Sequence, residues 1–196
     1  MNDTKAYLRH RARTITTGTF QCTPEMEALV IEVLQSGRIS YGQNSKRFER
    51  EFAALHDCKY GILSNSGTSS LHVALQALKE TFCWEDGDEV IVPASTFVAT
   101  VNVVLHNNLK PVFVDIEALT YGMDPDLLEA AITPRTRCVI PVHLYGQSCR
   151  MQDIYRVVDR HPIEVIEDSC EAAFVSHQGK KVGSMGEVMG AEMREM

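Results

Sequence analysis

The chain has no paired cysteines: Cys22, Cys58, Cys83, Cys138, Cys149 and Cys170 are scattered, with no C-x-x-C among them. That spacing fits neither a zinc site nor a disulfide framework, and no secretory signal pattern is present, so they read as reduced thiols of a cytoplasmic protein. The seven histidines show no H-x-x-x-H or H-x-x-E-H grouping, and no metal is expected. Basic residues are also scarce, with 19 Lys and Arg against 26 Asp and Glu and a net charge of −7. This balance argues against a nucleic-acid binder, which needs a basic patch to neutralise phosphates. The one basic cluster, "RHRAR" near the N-terminus, reads as a solvated terminus. No stretch approaches the roughly 20 apolar residues of a membrane span, and nothing is low-complexity. The phosphate-binding patterns G-x-x-x-x-G-K and G-x-G-x-x-G are both missing.

What remains is an ordinary globular composition over 196 residues, 44% hydrophobic and 23% charged, enough for one core. "CTPEMEALVIEVLQSG" predicts a helix: Thr23 caps it, Pro24 opens it, Met26, Leu29, Val30, Val33 and Leu34 share a face, and Gly37 ends it. A second helix in "SKRFEREFAALHD" puts Phe48, Phe52 and Leu55 on one stripe. From Tyr60 onward, short apolar runs alternate with helix-length stretches. The runs are "YGILS", "EVIVP", "PVFVD", "RCVIPV" and "IEVIED"; the helices are "SSLHVALQALKE", "TFVATVNVVLH", "DPDLLEAAI" with Asp124 as cap, and "MQDIYRVVDRH". Continuously apolar strands separated by helices predict an α/β fold: a doubly wound, mostly parallel sheet with helices on both faces.

Ligands of such sheets sit at the carboxyl ends of the strands. Chemistry is therefore sought at residues 65–70, 93–97, Asp115, 143–147 and 168–171. "SNSGTSS" leads from a predicted strand into a helix N-terminus, where free N–H groups and the helix dipole favour an anion. Gly67 allows close backbone approach, and Thr68 and Ser69 add hydroxyl donors, a description that suits a phosphate. The simpler alternative is a Ser/Thr cap serving only its own helix. Asp168 closes a strand, where a buried carboxylate needs donors or a cation. It could pair with a protonated pyridine nitrogen or cap a nearby turn. Phe97 could cover a planar cofactor or belong to the core. One phosphate loop, one aromatic and one aspartate at neighbouring strand ends describe a pyridoxal phosphate pocket.

Over residues 23–187 the chain resembles the nucleotide-sugar aminotransferases of the DegT/StrS family, pyridoxal phosphate enzymes of the aspartate aminotransferase fold. The resemblance rests on "SGRISYGQNSKRFEREFA", "SNSGTSSLHVALQAL", "GDEVIVPASTFVATVNVVLHNNLKPVFVDIE", "AITPRTRCVIPVHLYGQ" and "VIEDSCEAA", in that order. It implies that Thr68 and Ser69, beside Gly67, hold the pyridoxal 5'-phosphate phosphate, Phe97 stacks on the ring, Asp168 pairs with the ring nitrogen and Glu171 approaches the ring hydroxyl. It also implies a nucleotide-linked keto sugar and an amino-acid donor as substrates, and a homodimer for the complete protein. The corresponding domains are an N-terminal helical arm over residues 1–59 and an incomplete cofactor-binding large domain over 60–196, with the C-terminal small domain absent.

Two departures from the family stand out. Glu171 lies where the family usually has Gln or His. The family also continues past "VGSMGEV" into a segment carrying the lysine that anchors the cofactor, whereas this sequence reads "MGAEMREM". Lys180 and Lys181, in "HQGKKVGS", resemble a separate solvated hairpin of the family, so no catalytic residue is assigned. The expectation is a truncated form of an aminotransferase, inactive in isolation. The alternatives are a sugar dehydratase, in which histidine replaces the lysine, and a binding-only remnant.

Overall fold

The computed structural model describes residues 21–186 and 188–190. These residues group into two compact units, 21–40 and 41–190. The first holds helix α1 (Pro24–Gln35), and the Thr23 hydroxyl accepts the Met26 N–H at 3.3 Å, as the capping pattern predicts. Gly37 follows with φ +67°, the left-handed geometry that ends helices and that glycine adopts without cost.

The second unit opens with α2 (Gln43–Leu55). Its apolar stripe runs through Phe48 and Phe52, whose rings stack at 5.4 Å, to His56. Leu55, assigned to the stripe from sequence, is 54% exposed, whereas His56 is fully buried with Nδ1 3.3 Å from the Val182 carbonyl. A spacing of four residues repeated twice returns to the same helix face, and His56 occupies it.

The sheet and helices follow the predicted alternation. In chain order they are α3 (Gly67–Thr81), β1 (Glu89–Pro93), α4 (Val98–His106), β2 (Lys110–Val114), α5 (Pro125–Ala131), β3 (Thr136–Val139), α6 (Met151–Val158) and β4 (Glu164–Asp168), with β5 (Ser176–His177), β6 (Lys180–Lys181) and β7 (Val188–Gly190) completing the set. Strands β2, β1, β3, β4 and β7 lie side by side in that order, and every pairing among them is parallel. Residues 60–64, expected as a strand, make no strand pairing among the described residues, and Ile62 is 86% exposed. The predicted hairpin is present: β5 and β6 pair antiparallel around Gln178 and Gly179, both at positive φ, and carry Lys180 and Lys181.

Side chains alternate across β1, sending Val90 and Val92 to one face and Ile91 to the other. The first face packs on Leu71, Leu75 and Leu78 of α3 and Val103 and Val104 of α4. The second packs on Leu128 of α5 and Met151, Ile154 and Val158 of α6. Each such leucine or isoleucine contributes about 1.5–3 kcal/mol through its burial. The connection after β1 thus crosses one face and the connection after β3 the other. Between the carboxyl ends of these two strands the topology leaves the crevice in which ligands of open α/β sheets bind.

Candidate functional site

A pocket at these carboxyl ends is lined by Thr68, Leu71, Phe97, Ala99, Val142, Leu144, Asp168, Cys170 and Glu171. Four of the residues singled out from sequence, Thr68, Phe97, Asp168 and Glu171, therefore converge. Gly67 and Ser69 flank Thr68 in the first turn of α3 but do not line the pocket.

The "SNSGTSS" loop is built from its own hydroxyls. Ser66 caps α3, its Oγ accepting the Ser69 N–H at 3.1 Å, while Ser64 and Ser70 Oγ lie 2.6 Å apart. Capping thus uses the Ser69 amide. The Gly67 and Thr68 N–H groups donate to no acceptor among the described residues, and they stand at the positive end of the α3 dipole beside the pocket.

Phe97 sits at the N-cap position of α4 and is 51% exposed, so its ring forms part of a wall and not part of the core. Asp168 ends β4 and is only 3% exposed. Its Oδ2 accepts the Thr100 hydroxyl at 2.9 Å and its Oδ1 accepts the Cys170 N–H at 3.2 Å. Both donors are neutral, and no Lys, Arg or His forms an ion pair with Asp168 among the described residues. A buried carboxylate in that state calls for a cation from a ligand. Glu171 presents its Oε2 to the Tyr145 N–H at 3.1 Å, and its carbonyl accepts the Gly146 N–H at 3.1 Å.

Behind the pocket lies a polar hub in which His143, within the strand-end range 143–147, meets Glu167, which the sequence reading did not single out. Glu167 and His143, both fully buried, meet at 3.0 Å from His143 Nε2 to Glu167 Oε2. The Cys149 N–H donates to His143 Nδ1 at 3.0 Å, so the ring proton resides on Nε2. Glu167 also accepts the N–H groups of Gly183 at 2.8 Å, Met185 at 2.6 Å and Gly186. Burial alone pushes the Glu167 carboxyl up, but His143 and these N–H groups outweigh it and hold the carboxyl below its usual value. The hub ties the residues after β3, the end of β4 and the turn at 183–186 together. Thr100 was likewise missed; its signal is the Thr96 and Thr100 hydroxyl pair, four residues apart, one just before α4 and one in its first turn, 3.0 Å from each other.

The donor set suits pyridoxal phosphate on these observations. Two unbonded N–H groups and the Thr68 hydroxyl lie at a helix N-terminus, a half-exposed aromatic ring forms a wall, and a buried carboxylate meets only neutral donors. No lysine is among the residues lining the pocket.

Comparison with solved structures gives the class. The chain superposes on the aminotransferase from Psychrobacter cryohalolentis with a TM-score of 0.81 at 37% identity, covering 88% of this chain and 43% of that one. It superposes on the E. coli GDP-4-keto-6-deoxy-D-mannose-3-dehydratase with bound hydrated PLP with a TM-score of 0.83 at 26% identity, covering 88% and 45%. The fold is that of the pyridoxal phosphate aminotransferases. Residues 21–190 match the DegT/DnrJ/EryC1/StrS aminotransferase family, and the chain belongs to it. Among its relatives, the spore coat polysaccharide biosynthesis protein SpsC of Bacillus subtilis is 42% identical over 158 residues, 81% of this chain and 40% of that protein. The GDP-perosamine synthase of Caulobacter vibrioides is 43% identical over 159 residues, 81% and 42%. The chain spans less than half the length of these relatives. The family and its PLP-bound neighbour structures imply pyridoxal phosphate as cofactor.

Proposed function

We propose that this chain carries the cofactor-binding half of a pyridoxal phosphate-dependent aminotransferase that acts on a nucleotide-linked keto sugar with an amino-acid donor. The observation that carries the reading is Asp168: a buried carboxylate with two neutral donors and no cationic partner, in one pocket with Thr68 and Phe97. In this reading Asp168 holds the proton of the ring nitrogen, Phe97 covers the ring, and the Gly67 and Thr68 N–H groups with the Thr68 hydroxyl hold the phosphate. Ser69 supports that loop through the Ser66 cap, and Glu171 borders the pocket. The bound cofactor supplies the electron sink for moving an amino group.

Amino transfer further needs a base that moves the substrate proton. Lys180 and Lys181 lie on the β5–β6 hairpin and not in the pocket lining, so we assign that role to neither, and the isolated chain is expected to be inactive. The complete protein is proposed to be a cytoplasmic homodimer. A dehydratase reading is kept because a dehydratase is among the solved structures that share the fold.

Spectrophotometric titration with pyridoxal phosphate tests the reading. Saturable binding that is lost in Asp168→Ala and Thr68→Ala supports it, whereas equal binding by both variants refutes the pocket. Borohydride reduction followed by peptide mapping should find no stoichiometric label on Lys180 or Lys181. Such a label would overturn the assignment of the hairpin.

A further inference from the structure

Two tyrosines at the carboxyl edge of the sheet have no part in the pocket just described. Tyr121, in the loop after β2, and Tyr145, in the loop after β3, both have left-handed backbones, with φ 57° and 56°. Bulky L-residues rarely adopt that region, and they persist there only where the surroundings fix them. Here the fixing contacts are explicit. The Tyr145 and Gly146 N–H groups donate to the Oε2 and the carbonyl of Glu171, a residue that lines the pocket. The Tyr121 N–H donates to the Glu117 carbonyl at 3.1 Å. Next to it, Gly122 passes so close to the second loop that a Cβ would lie 2.6 Å from Cys149 Sγ.

The result is an edge-to-face ring pair with centroids 5.9 Å apart, from two loops separated in sequence. The rings are not buried by this arrangement: Tyr121 is 47% exposed and Tyr145 68%. Strained backbone that ends in an exposed ring contributes little to a core, so its use lies in what the ring meets. The pair borders the pocket through Glu171, which accepts the Tyr145 N–H and lines the pocket. A planar, weakly polar ring flanked by phosphates matches this place, because it stacks on aromatic faces and every base offers such a face.

We propose that Tyr121 and Tyr145 form the stacking platform for the nucleobase of a nucleotide-bearing ligand. The proposal rests on the nucleotide-sugar reading above, and it names the part of the substrate that these loops recognise.

Asparagine tolerates the left-handed backbone and removes the ring. Calorimetric titration of the protein, with pyridoxal phosphate present, would compare uridine diphosphate, guanosine diphosphate and inorganic pyrophosphate. Both nucleotides should bind about 10-fold tighter than pyrophosphate. Tyr145→Asn and Tyr121→Asn should each weaken nucleotide binding about 10-fold, leave pyrophosphate binding and the cofactor absorbance unchanged, and raise the melting temperature. Equal affinity for nucleotides and pyrophosphate, or variants that lose stability and all three ligands together, would overturn the platform. A change only in light-scattering mass, with ligand binding intact, would also overturn it and assign the rings to contact with a second copy. If pyridoxal phosphate binds without any nucleotide preference, the platform fails and the cofactor pocket stands. If nucleotides bind through the tyrosines and pyridoxal phosphate does not, the pocket reading fails alone.

Discussion

Replacing Glu167 with glutamine changes one atom and should unfasten three segments. In the native hub Oε2 accepts from His143 Nε2 and the Gly183 N–H, and Oε1 accepts from the Met185 and Gly186 N–H groups. Both oxygens thus face two donors, so either orientation of the glutamine amide points its NH2 group at two N–H groups. His143 cannot relieve the conflict by shifting its proton, because a proton on Nδ1 would oppose the Cys149 N–H. Two hydrogen bonds to a charged group are lost, each worth about 1.5–3 kcal/mol. The smaller desolvation cost of a neutral amide returns part of that, leaving an expected loss of about 3–5 kcal/mol. Against a typical stability of about 5–15 kcal/mol this is a large fraction, and it corresponds to a melting temperature roughly 6–20 °C lower. Urea unfolding followed by circular dichroism measures it. The pH dependence supplies an independent check. The folded Glu167 carboxyl is held below its ordinary value, so its stabilisation is complete above the ordinary glutamate range and lost as pH falls through the folded value. Wild type should therefore lose more stability than Glu167→Gln on acidification. A loss under about 1 kcal/mol with an unchanged acid slope would refute the hub.

Thr100→Val keeps the shape of α4 but removes the hydroxyl that donates to Asp168 at 2.9 Å, so it should cost about 1.5–3 kcal/mol and weaken pyridoxal phosphate binding, with Thr100→Ser retaining most of both. Ser66→Ala should cost about 1 kcal/mol in urea unfolding, through loss of the α3 cap. Cys138 and Cys149 are buried, and burial pushes both thiols up, that of Cys149 to about 12, so an aromatic disulfide reagent at pH near 8 should leave them unlabelled until the protein unfolds, while exposed Cys22 and Cys83 react at once. Asp88 sits between Arg135 and Arg137; burial pushes its carboxyl up, but the hydrogen bond from Arg137 and the charges of both arginines outweigh this and hold it below its usual value. Its stabilisation should hold above the ordinary aspartate range and fade as pH falls through the folded value, and Asp88→Asn should remove that part of the acid slope.

The elements easiest to read from sequence are those whose environment is uniform. "EVIVP" is apolar at nearly every position because β1 lies in the middle of a parallel sheet covered on both faces, and all five residues are buried. "YGILS" has a similar composition, yet no strand pairs with it among the described residues, because a strand is a relation between two segments and composition records only one. Phe97 and Asp168 were legible as neighbours because one follows β1 and the other ends β4, and parallel topology places both strand ends on one edge, whereas Thr68 reaches the same pocket from the start of α3 without a paired strand before it. Glu167 was passed over for the opposite reason. Its partners come from His143 and the turn at 183–186, and nothing local in "EVIED" distinguishes a carboxylate held by four N–H groups from one in water. His56 shows the same limit: its polarity hid its place on the buried stripe of α2, where it continues the spacing of Phe48 and Phe52.

The central claim is that one pocket holds pyridoxal phosphate by its ring and its phosphate together, and a crystal structure of the protein with the cofactor tests it most directly. The account predicts the ring nitrogen within hydrogen-bond distance of Asp168, the ring against Phe97, and the phosphate on the Gly67 and Thr68 N–H groups at the start of α3. Cofactor bound elsewhere, or bound with its phosphate away from α3 and Asp168 still engaged only by Thr100 and Cys170, would contradict it.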